Sequence, residues 1–156
     1  MNNFKLYMER SKNELALAGM IFEMSLNGDI QVKVFNAVGS DTYFSAVISH
    51  SYYSIFYAAK GYLMSKGIET KHPDEHRKTY ESFKSLVDKG FLDVDLLKLY
   101  ESVLVKADTM LEIFRVEKGK RAMFTYHRLP QANREPASES LENAKTFYRH
   151  ISQLLS

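Results

Sequence analysis

Apolar residues in this chain recur at steps of three and four over long stretches, the spacing of one face of an α-helix. Tyr7, Leu15, Ala18, Phe22 and Leu26 predict a first helix over 3–26, ended by Asn27-Gly28. A second helix is expected over 42–66, with Ser40 or Asp41 as its cap and Lys66-Gly67 as its stop. It is apolar nearly all round, through Phe44, Val47, Ile48, Tyr52, Ile55, Phe56, Ala59 and Leu63, which marks a helix buried on several sides. Pro73 suits the first turn of a third helix, with Asp74 and Glu75 at its positive end, running to Lys89-Gly90. Asp93 or Asp95 caps a fourth, which Leu96, Leu97, Tyr100, Leu104, Ala107, Leu111 and Phe114 carry towards Gly119. Pro130 stops whatever continues, and a fifth helix covers about 135–155 through Ala137, Leu141, Ala144, Tyr148, Ile151 and Leu155.

One stretch breaks the pattern. In residues 29–40, Ile30, Val32 and Val34 alternate with polar residues, a short strand signal. No other segment offers a partner strand, so the expectation is a loop with room for a helical turn. There is no internal repeat and no low-complexity tract. The fold class expected is all-α, a single domain over 1–156 built as a bundle of four to five helices.

Composition narrows the chemistry. With 156 residues and 45% apolar content, the chain can bury one real core. It has no cysteine, which removes disulfides, thiolate metal sites and cysteine nucleophiles. The opening MNNFKLYMERSKNEL is charged and lacks an apolar run, so it does not read as a signal peptide. The most apolar segment, 43–64, is broken by serines, His50 and Lys60, and is not a membrane span. A cytoplasmic protein is expected.

The net charge of +2 is small, but it is unevenly spread. From Glu112 to Arg134 six cations face two acids, so this window is +4 and the rest of the chain is −2. A polyanion meets this window first. Inside it, EKGKRAMFTYHR sets Arg121 and His127 six positions apart. RNA can be cut without metal when one group takes the 2′-hydroxyl proton and others neutralise the phosphate. Histidine titrates near neutrality, and arginine forks onto two phosphate oxygens. Six positions on a regular helix leave the two side chains about 120° apart. They converge only if the helix breaks between them or two copies meet across an interface. The competing reading is a solvated cationic helix end.

Other motifs weigh less. HPDEH at 72–76 fits an inverted zinc-peptidase pattern, but it lacks a third ligand, and Pro73 puts His72 at the helix boundary. A capped, solvated helix start is the expectation there, with no metal and no cofactor. The tyrosines of the second helix, Tyr43, Tyr52, Tyr53, Tyr57 and Tyr62, suit base stacking; core or dimer contact is the commoner use. His50 reads as a satisfied interior histidine.

The segment AVISHSYYSIFYAAKGYLMSKGI at 46–68 resembles the HEPN domain, named for higher eukaryotes and prokaryotes nucleotide-binding, and in particular its small stand-alone prokaryotic members. The likeness continues through His72 and SLVDKGFLD at 85–93, and returns at KRAMFTY and REPASESLENAKTFYRHI, over about 110 residues in all. It implies a bundle of four or five helices, usually dimeric. Many HEPN proteins are metal-independent ribonucleases with an R-x(4–6)-H motif at the dimer interface, and Arg121-x5-His127 has that spacing. The chain departs from the stand-alone group at His50, where that group tends to carry arginine. It departs from the commonest toxin motif at Ala122 and Leu129. The group pairs its arginine with a tyrosine, here Arg121 with Tyr126. The resemblance implies a homodimer that binds RNA or nucleotide and cleaves RNA. Arg121 would hold phosphate and His127 would be the acid–base group. Lys118, Lys120 and Arg128 would add phosphate contacts, and Tyr126 would stack on a base. Some members act as toxins beside a minimal nucleotidyltransferase. The rival expectation is a non-catalytic interaction module that docks such a partner.

Overall fold

The computed structural model describes residues 3–111 and 133–156. Six helices follow one another in these residues: α1 (Phe4–Leu26), α2 (Gly28–Lys33), α3 (Phe44–Ser65), α4 (Glu75–Asp88), α5 (Val94–Leu111) and α6 (Arg134–Leu155). There is no strand among the described residues, and none of their helices is long and apolar enough to cross a membrane. The all-α class expected from the spacing holds. Against the four or five helices expected, the described residues alone hold six, because the stretch after Asn27 contributes a short one.

Helix α3 is the axis of the bundle. It packs against α1, α4, α5 and α6, and Val47, Ile48, Tyr52, Ile55, Ala58, Ala59 and Leu63 are fully buried. That is what an all-round apolar helix must do in water. Helix α1 lies close along it through small residues. Ser11 Oγ donates to the Ser54 carbonyl at 2.6 Å, and Ser54 Oγ returns a bond to the Ser11 carbonyl at 2.9 Å. Further along, a Cβ on Gly61 would sit 3.2 Å from Met8 Sδ and 3.3 Å from the Phe4 carbonyl oxygen. At the far side, Phe83 of α4, Tyr100 of α5 and Phe147 of α6 meet with ring centroids 5.4–5.8 Å apart. These tilted and edge-on contacts suit the aromatic quadrupole and tie three helices into one core.

The end of α3 is as expected. Gly67 takes a φ of +78°, which only glycine adopts freely, and Ile68 N–H reaches back to the Leu63 carbonyl at 2.9 Å. Its start differs. Neither Ser40 nor Asp41 caps it; Tyr43 is the boundary residue, and its N–H donates to Ser25 Oγ of α1 at 2.8 Å. Nor does Pro73 enter α4, which begins two residues later at Glu75.

The alternation in 29–40 does not mark a buried face. Ile30, Val32 and Val34 are 40%, 53% and 67% exposed, while the polar Gln31 is fully buried. Gln31 Nε2 donates to the carbonyls of Met24 at 2.9 Å and Asp41 at 3.0 Å, pinning the connection back onto α1. Asn27 ends α1 and also caps α2, its Oδ1 accepting from Ile30 N–H at 3.2 Å.

Candidate functional site

Arg121 and His127, with Lys118, Lys120, Tyr126 and Arg128, lie outside the described residues, in the 112–132 stretch that joins α5 to α6. What the structure does show is how the two flanking helices are held. Lys106 of α5 is nearly buried, and its Nζ donates to Glu139 Oε1 of α6 at 2.9 Å and to Ser102 Oγ at 3.2 Å. Asn143 Nδ2 of α6 donates to the same hydroxyl at 3.3 Å. The hydrogen bond from Lys106 holds the Glu139 carboxyl below the usual carboxylate range. A charge-assisted network therefore fixes α5 against α6 near the ends from which the basic stretch departs.

The histidines of HPDEH do not pair. His72 precedes α4 and is exposed, whereas His76 is within it. His76 instead faces α3. Its ring lies 4.1 Å from the Phe56 ring at 21°, and its Nδ1 is 2.8 Å from the Tyr52 hydroxyl. Burial pushes the His76 pKa down, with nearby Lys60 adding to the effect and Glu75 opposing it. Among the described residues, no group of three or more histidine, aspartate or glutamate side chains is placed to hold a metal ion.

Around His76 the helices α1, α3 and α4 assemble an aromatic and charged face that the sequence shows only as separate spacings. Tyr7, Arg10 and Glu14 lie at i, i+3 and i+7 on α1; His50, Tyr53 and Tyr57 lie at the same intervals on α3. The two stripes face each other. Tyr7 stacks with Tyr57 at 6.2 Å and 21°, and Tyr57 with Tyr53 at 6.4 Å and 29°. Tyr53 meets His76 edge-on at 5.9 Å. Arg10 places its guanidinium carbon 5.7 Å from both the Tyr7 and the Tyr57 centroids. His50 is half-buried, and its Nδ1 lies 2.5 Å from Glu14 Oε2, so it is satisfied as expected. Lys60, whose side chain is 8% exposed, pairs with Glu75 and lies 5.1 Å over the Tyr7 ring. The tyrosines of α3 thus divide: Tyr52 and Tyr62 are buried, and Tyr53 and Tyr57 are half-buried on this face.

A second feature lies on the outer side of α1. A groove of about 700 Å³ runs between α1, α2 and α6, lined by Leu17, Met20, Met24, Ile30, Phe35 and Leu141 among others. Met20 and Phe35 are 62% and 60% exposed. Compared with known proteins, the chain matches no family model and no curated sequence.

Proposed function

We propose that the chain is a HEPN-like helical protein that binds RNA as a homodimer and cleaves it without metal. The observation that carries this reading is Arg121-x5-His127 inside the +4 stretch, the residue types and charge that phosphodiester scission requires. His127 takes the proton of a 2′-hydroxyl, the 2′-oxygen attacks phosphorus, and the 5′-oxygen leaves with a proton returned to it. The products are a 2′,3′-cyclic phosphate and a 5′-hydroxyl. Arg121 holds the phosphate oxygens as charge builds; Lys118, Lys120 and Arg128 extend the phosphate track, and Tyr126 stacks on a base. Such a protein works in the cytoplasm, and a toxin role beside a nucleotidyltransferase fits the resemblance. The anchoring of α5 to α6 by Lys106 and Glu139 supports a fixed departure point for the stretch. The test is cleavage of RNA in EDTA. His127→Ala and Arg121→Ala are each expected to lose about 10²–10⁴-fold in rate. Equal cleavage by both variants and the unaltered protein removes the assignment.

A second reading is an interaction module that docks a protein such as a nucleotidyltransferase. The apolar groove on α1 favours it, since exposed apolar patches of this kind mark interaction surfaces. No affinity for RNA at low salt, together with stable co-purification of one protein partner, would establish it over the first.

A further inference from the structure

The face that joins α1 to α3 carries an arginine whose charge has no carboxylate partner among the described residues, only the faces of two tyrosine rings. Arg10 is exposed and enters no ion pair among the described residues. A carboxylate is within reach in sequence: Glu14 stands one turn further on, at the i,i+4 spacing that pairs charges on a helix. Glu14 is committed to His50 instead, at 2.5 Å. The other cation of the face, Lys60, is committed to Glu75. Arg10 alone is left with its donors unengaged, lying 5.7 Å from the centroids of two half-buried tyrosine rings. Those rings continue into a near-parallel series, Tyr7, Tyr57 and Tyr53.

An unpaired guanidinium set against flat aromatic rings matches a ligand with one anionic group beside one π-face. A guanidinium forks onto two oxygens of a phosphate, and tyrosine rings stack on any base without sequence preference. We infer that Arg10, Tyr7 and Tyr57 form a nucleotide subsite for single-stranded RNA, in which Arg10 holds a phosphate and the tyrosine ladder takes the adjoining base. The subsite is separate in sequence from the 112–132 stretch. It rests on the RNA reading proposed above and gives the strand a second point of attachment.

The probe is a fluorescein-labelled 2′-O-methyl oligouridylate, which keeps the phosphates and bases of RNA but cannot be cut. Binding is followed by anisotropy in EDTA across a salt series, with uridine monophosphate as competitor. Arg10→Gln is expected to weaken binding about tenfold and to lower the salt slope by about 0.7, the share of one phosphate contact on a single strand. Arg10→Lys keeps the charge without the fork and should recover part of the loss. Tyr57→Leu removes a stacking ring and should cost about tenfold. Arg10 is exposed, so its variants fold whatever Tyr57→Leu does, and thermal melts check both. Competition by uridine monophosphate that is lost in Arg10→Gln assigns the subsite to a single nucleotide. A loss seen only with the oligonucleotide assigns it to a strand. If the unaltered protein binds the oligonucleotide and both Arg10→Gln and Tyr57→Leu bind equally well, the subsite is wrong and the RNA reading stands. If the unaltered protein binds neither probe, both fall together.

Discussion

His76 is held neutral by its surroundings, and that has a consequence for stability. Its ring is sandwiched among Phe56, Tyr52 and Tyr53, and its Nδ1 is bonded to the Tyr52 hydroxyl, with Lys60 and Glu75 nearby. Its folded pKa is below the ordinary histidine value of about 6.5. The unfolded chain therefore binds more protons in the window beneath that value. By linkage, the contribution of His76 is fully present above about pH 6.5 and is lost as pH falls towards the folded pKa. Urea unfolding at neutral pH and at pH 5 should show a drop that His76→Phe reduces. An unchanged drop in that variant would mean other groups carry the pH dependence. None of this is legible in HPDEH, whose pattern gives the expectation of a capped, solvated helix start; the structure has no side-chain cap there and packs His76 on α3. The partner of His76 is Tyr52, twenty-four residues away, and only the packing of α4 on α3 brings them together.

At the scale of elements, helical spacing locates α1, α3, α4, α5 and α6, although Leu26 of the expected α1 stripe is 41% exposed and the expected run through Phe114 to Gly119 lies outside the described residues. It failed in two instructive places. In 29–40 the apparent alternation marks no buried face: Gly28–Lys33 is helical, Ile30, Val32 and Val34 are exposed, and two carbonyls, of Met24 and Asp41, draw the Gln31 amide inside. Burial of a polar side chain is stable when its donors are met, and hydrophobicity alone cannot foresee that. On α6 the expected stripe included Tyr148, yet Phe147 is the fully buried ring. Neighbouring aromatics on a helix differ by about 100° in direction, and only the positions of Phe83 and Tyr100 decide between them. That three-ring contact should dominate the cohesion of α4, α5 and α6. Phe83→Ala is expected to cost about 3–5 kcal/mol in denaturant unfolding, as for other buried phenylalanines. A loss under about 1 kcal/mol would show that the rings repack easily, against the close packing of protein interiors.

At the scale of the whole molecule, the all-α class follows from helical spacing along the chain, and the central place of α3 from its nearly all-round apolar surface. The aromatic face does not follow from any one helix. Tyr7 and Arg10 look like ordinary positions of an amphipathic helix until α1 is laid along α3. The basic stretch showed the opposite behaviour: its charge and its Arg121–His127 spacing were plain in the sequence, and its meaning depends on what it meets. Under the proposed RNA reading, a strand would meet two cationic regions of different kinds. One is a dense segment of linear charge; the other is a single guanidinium backed by rings.

The enclosure of α3 by four other helices also sets a clock for the backbone. An amide in its middle turns, near Ile55, Ala58 and Ala59, can reach solvent only when α1, α4, α5 and α6 have all come away. Its hydrogen should then exchange with deuterium only through global unfolding, at the slow limit set by the full stability of the bundle. Amides of α2, a helix of six residues with an exposed outer side, should exchange orders of magnitude sooner. Mass spectrometry of exchanged peptides would read both rates in one experiment. Comparable protection in the two helices would show that the bundle opens as one unit rather than from its edge inward.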